Sequence, residues 1–165
     1  MRQLNKQQVE GRLNFAEGGN VQNNINSINT YLKDLGYSKE ARAGILGNIG
    51  VETGYTYNYQ AKQRDGKGYG LFQFDFQKPH YFAWIQKNKL DDSDKNQITF
   101  MHEVLKGNDK VMGFNTVDRQ ELQKFFKQGT VEQVAKEFSE RYEKPGVPHL
   151  ERRIEEANKL YNVID

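Results

Sequence analysis

The chain has 165 residues, 24 Lys and Arg against 22 Asp and Glu, no cysteine and 36% apolar residues. That length suits one domain with a single core, and no run approaches the roughly 18 apolar residues that span a membrane. The lack of cysteine excludes disulfides, thiol catalysis and Cys-containing zinc sites, and a net charge of +2 does not suggest a nucleic-acid binder.

Residues 1–20 are polar, lack a sustained period and end in Gly18-Gly19. They read as an N-terminal arm, flexible or packed a little through Leu13 and Phe15, ahead of one domain over residues 21–165. The start has no apolar stretch of about 7–15 residues, so no signal peptide is expected. Ile25, Ile28, Leu32 and Leu35 recur at helical spacing, and Gly36 is a stop. Ser38 is an N-cap for a second helix with Ala41, Ile45 and Ile49 on one face and Gly54 after its end. Residues 55–75, rich in Gly and Tyr, alternate over Tyr69–Asp75 and predict turns with a small β-hairpin. Pro79 opens a short helix with Tyr81, Trp84 and Ile85, and Asp92 or Ser93 caps the next, which turns Ile98, Met101, Val104 and Leu105 inward. Another carries Leu122, Phe125 and Phe126 and stops at Gly129. Thr130 and Gln133 form a capping box for a helix with Val134, Phe138 and Tyr142. Beyond Pro145 and Pro148, a last helix aligns Leu150, Ile154, Ala157 and Leu160. The predicted class is α+β and mainly helical, with six or seven helices around one β insert.

Asn and Gln number 29 and aromatics 20, a composition that suits stacking on carbohydrate, or simply an aromatic core. Residues 37–90 carry a local charge of +4 and residues 91–165 of −3. The positive half suits a polyanionic envelope or a merely solvated face. The three histidines are scattered and none sits in an H-E-x-x-H pair; no metal site is predicted. Asp92, Asp94, Asn96 and Glu103 match a calcium-loop spacing, but Gln97 stands where the loop needs glycine, and a helix start is the better reading.

The chemistry-bearing segment runs from Gly44 to Gly54. Glu52 ends a largely apolar helix, where unpaired carbonyls and burial would favour a protonated carboxyl, as general-acid cleavage of a glycosidic bond requires. The bland alternative is an exposed glutamate in a last turn. Asp65 and Asp75 come 13 and 23 residues later on the turn-rich insert, which places a second carboxylate across a cleft from Glu52. Tyr69, Phe72 and Gln73 could stack on and hydrogen-bond a sugar, although Phe72 also fits a core position.

Three blocks in order, Gly44-Ile45-Leu46-Gly47-Asn48-Ile49-x-x-Glu52-Thr53, Gly68-Tyr69-Gly70-Leu71-Phe72-Gln73-Phe74 and Tyr142-Glu143-Lys144-Pro145, resemble the lysozyme domains of phage endolysins and phage tail proteins. The middle block, extended to Arg64–Asp75, is also similar to the hairpin of goose-type lysozymes. The resemblance implies a lysozyme-like fold with the hairpin beside the catalytic helix. It implies cleavage of the β-1,4 bond between N-acetylmuramic acid and N-acetylglucosamine in bacterial peptidoglycan. The family's catalytic Glu maps onto Glu52, and the second goose-type aspartate onto Asp75. The first maps onto Asp65 only with a one-residue deletion, and Lys144 replaces the pattern's Arg. Tyr142 would by analogy face the cleft and orient Glu52; as a helix-face aromatic it is equally a core residue.

The expected protein is a monomeric muramidase without cofactor, metal, nucleic-acid partner or stable membrane insertion. It would remain in the host cytoplasm until released to the wall, or ride on the virion. The rivals are a lytic transglycosylase using Glu52 alone and a non-catalytic glycan-binding virion domain.

Overall fold

The middle of the second predicted helix is apolar on every side, which marks it for the centre of the molecule rather than its surface. A computed structural model describes residues 6–63, 66–108 and 114–165. In chain order the described elements are α1 Lys6–Asp34, α2 Lys39–Glu52, α3 Lys78–Lys87, α4 Asp94–Lys106, α5 Thr116–Gln128 and α6 Val131–Phe138. A π-helical turn, Ser139–Glu143, and α7 Leu150–Tyr161 complete them. The fold is mainly helical. No described helix is long and apolar enough to cross a membrane.

The expected caps are in place. Ser38 Oγ accepts from the Ala41 N–H at 3.1 Å, Ser93 Oγ from Asn96, and Thr130 and Gln133 exchange the reciprocal bonds of a capping box. Ser93 starting α4 is the helix-start reading of the Asp92–Glu103 stretch. Gly18-Gly19 does not end a segment: α1 begins at Lys6 and runs through both.

Residues 41–50 of α2 are all buried. Its main neighbours are α6 and α7, and its glycines set how near they come. A Cβ on Gly44 would lie 2.5 Å from Val134 Cγ1 of α6, and one on Gly47 would lie 2.7 Å from Ala157 Cβ of α7. Both are far inside ordinary carbon contact. Asn48 closes the junction, its Nδ2 donating to the Gly44 and Ala135 carbonyls at 3.0 Å each. Ile28, Leu32, Ile45, Leu46, Ile49, Phe100 and Phe138 fill the surrounding core, all fully buried.

The hairpin is the main departure from expectation. Among the described residues no strand forms. Lys62 and Tyr69, and Tyr69 and Phe74, make isolated antiparallel bridges instead. The cause lies in burial and backbone angle. Leu71, Phe72, Gln73 and Phe74 are all buried, so no face of this stretch is left for the solvent. Gly70 and Gln73 have φ of +84° and +49°, which folds the chain between Tyr69 and Phe74 into a tight reversal. The Leu71 N–H then finds the side chain of Gln97 at 2.8 Å in place of a neighbouring strand. Asp92 fastens this reversal to the helices by accepting from Tyr69 OH, from Tyr81 OH at 2.6 Å and from Gln97 Nε2 at 3.1 Å.

Gly47→Ala therefore overpacks the α2–α7 contact. A loss of roughly 2–3 kcal/mol is expected in urea denaturation. An unchanged midpoint would mean that α7 can retreat without cost.

Candidate active site

Glu52 is the last residue of α2, and the chain turns sharply after it. Thr53 caps the helix, its Oγ1 donating to the Ile49 carbonyl at 2.7 Å and accepting from the Tyr57 N–H at 2.9 Å. Gly54 then adopts φ +61°, and Tyr55 and Tyr57, at +64° and +54°, do so at a cost that β-carbon-bearing residues normally avoid. These turns lead the chain from the helix end toward the 61–75 segment.

A cavity of about 490 Å³ opens at this point. Its lining includes Glu52, Gln73, Asp75, Glu143, His149 and Arg153. A larger cleft of about 720 Å³ lies along Glu40, Lys127, Thr130 and Tyr161, but it holds none of the candidate residues from the sequence.

Arg153 of α7 is the centre of the smaller cavity's polar side. Its side chain is 2% exposed and that of Glu52 10%, and they form an ion pair of 2.7 Å between Nη2 and Oε1. Its Nη1 donates to Asn48 Oδ1 at 2.9 Å and its Nε to the Pro148 carbonyl at 2.7 Å. All three nitrogens are thus engaged, and the guanidinium plane fixes where the Glu52 carboxyl points.

Glu143, the last residue of the π-helical turn, enters the cavity beside them. The turn closes with the Lys144 N–H on the Ser139 carbonyl at 2.8 Å, and Lys144 takes φ +46°. Arg141 pins the turn by bonding Asp118 of α5 at 2.8 Å and Glu137 of α6 at 2.6 Å. Burial first, and then the nearby Glu52 charge, push the Glu143 carboxyl well above the usual carboxylate range, while Arg153 pulls it down. Its Oε1 is buried and has no hydrogen-bond partner among the described residues.

The candidate residues from the sequence divide into two groups. Glu52, Phe72, Gln73 and Asp75 line the cavity together. Asp75 is exposed, whereas Gln73 is buried, donating to the Ala61 and Gly70 carbonyls at 3.0 and 2.7 Å and leaving its Oε1 without a partner among the described residues. Phe72 is only 3% exposed and meets Tyr142 edge-on, so it belongs to core and cavity wall at once. Tyr69 and Tyr142 stand outside the lining. Tyr69 is held on Asp92. Tyr142 is buried among Phe72, Phe114 and Phe138, and its hydroxyl has no hydrogen-bond partner among the described residues. The group bonded to Glu52 is Arg153, not Tyr142. Asp65 lies outside the described residues.

Arg153 and Glu143 received no role from the sequence. Arg153 had a visible signal, since it falls three residues after Leu150 and four before Ala157, on the apolar stripe of its helix. Glu143 stood inside the third motif block.

The family model for the phage tail lysozyme matches residues 23–164, which takes in α2, the 61–75 turns, the π-helical turn and α7. The chain belongs to the phage tail lysozyme family. No curated protein matches it significantly. Membership gives a lysozyme-like protein of the peptidoglycan-lytic class, with peptidoglycan as substrate. The cavity lies where all three motif blocks converge.

The buried charges carry two stability effects. Arg153→Met leaves the Glu52 carboxylate buried beside an apolar side chain, and a loss of about 3–5 kcal/mol is expected by urea denaturation. Glu143→Gln acts in the opposite sense. At acid pH Glu143 carries its proton in both the folded and the unfolded chain. Above about pH 4.3 the unfolded chain releases it while the folded chain does not, so stability falls as pH rises until Glu143 itself ionises. The melting temperature of Glu143→Gln should therefore gain on the wild type between acid and neutral pH. A constant difference would show that Glu143 ionises normally.

Proposed function

We propose that the chain is a muramidase that hydrolyses the β-1,4 bond between N-acetylmuramic acid and N-acetylglucosamine, with Glu52 as general acid and Asp75 as the water-positioning base. The observation that supports this is the meeting of Glu52, at a helix end, with Asp75, on the turn segment, at one cavity. Glu52 gives its proton to the glycosidic oxygen as the carbon–oxygen bond breaks, and the bonding pair stays with that oxygen. Water held by Asp75 adds to the anomeric carbon from the opposite face and passes a proton to Asp75, which inverts the carbon. Asp65, where it reaches the same water, shares that task. Both acid and base are side chains, so the reaction calls for no cofactor.

Gln73 supports a glycan in the cavity by placing an amide side chain, the kind of group that bonds sugar hydroxyls, in its lining. Phe72 gives the apolar wall. Tyr69 and Tyr142 act behind that wall, by holding the turn and by packing on Phe72. In our reading residues 21–165 form the catalytic domain, working as a monomer either in phage lysis from the host cytoplasm or on the virion during wall entry.

Glu52→Gln keeps an acceptor for Arg153 but has no acidic proton. It should stay folded and lose about a hundredfold or more of its rate in clearing purified cell walls. Asp75→Asn should lose activity in the same assay. Reducing ends in the digest, read by mass spectrometry, fit hydrolysis; 1,6-anhydro ends would replace it with transglycosylation by Glu52 alone. A wild-type protein that binds walls and clears none would be a glycan-binding module.

A further inference from the structure

The cavity gathers two carboxyl groups around one guanidinium. Glu52 takes the Nη2 bond of Arg153 at 2.7 Å, while the remaining nitrogens of Arg153 face Asn48 and the Pro148 carbonyl. Glu143 lines the same cavity and lies within electrostatic reach of both Glu52 and Arg153. Its Oε1 is shielded from solvent and unpartnered among the described residues. One buried positive charge compensates one carboxylate. A second ionised carboxylate with its Oε1 shielded from solvent would lack a counter-charge there, so burial and the Glu52 charge favour a proton on Glu143.

The other charges around Glu143 do not change this count. From α5, Asp118 is occupied by Arg141 and by Lys144, whose Nζ lies 3.3 Å away. From α6, Glu137 is bonded to Arg141. On the turn itself, Glu140 is exposed, and burial keeps the Tyr142 hydroxyl neutral. Asp75 and His149 line the cavity as exposed residues. The position of Glu143 is built rather than incidental. A π-helical turn, a form that recurs at functional sites, places it there, and two ion pairs of Arg141 hold that turn.

A general acid must be supplied with one proton in every turnover. We infer that Glu143 is a positioning residue for Glu52: the two carboxyls hold one proton opposite Arg153, stored on Glu143 at rest and passed to Glu52 for delivery to the leaving oxygen. The inference rests on the role of Glu52 proposed above. In the cycle the proton leaves the Glu143 carboxyl and ends on the leaving oxygen, which keeps the electron pair of the broken bond. The attacking water loses a proton to Asp75, which returns it through solvent to the carboxyl pair.

The test combines a spectrum with a pH profile. In the full chain carrying isotope-labelled glutamate, carboxyl NMR of the wild type should show one glutamate still protonated at neutral pH, and its signal should vanish in Glu143→Gln. In wall clearing, Glu143→Gln should move the alkaline limb of the rate profile down by about one pH unit or more, a loss of about tenfold at neutral pH that is regained in acid. Glu143→Asp, which keeps a carboxyl, should restore part of the profile. A wild-type spectrum with every glutamate ionised at neutral pH overturns the inference, as does a Glu143→Gln profile that coincides with the wild type. The wild-type spectrum decides the matter even if Glu143→Gln fails to fold. Wild-type clearing by Glu52→Gln would instead remove the muramidase assignment, and the glutamate spectrum would be unaffected by it.

Discussion

The Arg153 guanidinium is the constraint on which the cavity depends. It is buried between α2 and α7 and reaches Asn48 and Glu52, which are one helical turn apart on α2. Such a reach exists only because Gly47 lets α7 lie directly on α2. A buried ion pair adds little net stability, since desolvation opposes its attraction. Its contribution here is direction. The carboxyl of Glu52 is aimed by helix packing, and the same packing brings the Gly-Asn pair of the first motif into a physical relation with the Glu four residues beyond.

The opposite wall is made by different means. Between Thr53 and Lys78 the described backbone forms turns, several with left-handed angles at tyrosine or glutamine. Their cost is met by side chains from outside the segment, above all Asp92 and Gln97, which bond Tyr69, Tyr81, Leu71 and Tyr59. Asp92, whose spacing resembled a calcium ligand, serves as a hydrogen-bond hub between the turn segment and the helices. Gln73 and Asp75 inherit their places from that hub.

Much of the helical frame was legible because its signals are local. Ser38, Ser93 and Thr130 cap where a hydroxyl ahead of an apolar period says they should, and Gly36 and Gly54 take left-handed angles at helix ends. The alternation over Tyr69–Asp75 is a pattern of residue types, and the described segment, buried on both sides, carries it only as isolated antiparallel bridges. Glu52, Gln73 and Asp75 could be named from motif order. Arg153 showed only as a charge on the apolar stripe of its helix, and its partners, 101 and 105 residues away, have no local signal. Tyr142 was ambiguous for the same reason, a helix-face aromatic being compatible with either core or cleft.

The π-helical turn has a consequence for how this site tolerates insertion and deletion. Its wider winding accommodates one extra residue between Phe138, which belongs to the core, and Lys144, where the left-handed angle sends the chain toward Pro145. Removing one residue would let the turn relax into α6 and rotate the residues downstream of the deletion by about 100°. Phe138 would keep its place, while Glu143 would swing off the wall it shares with Glu52 and Tyr142 would leave its ring contacts. Chain length at this one turn is thus a discrete variable, coupled at once to the chemistry of the cavity and to the packing behind it.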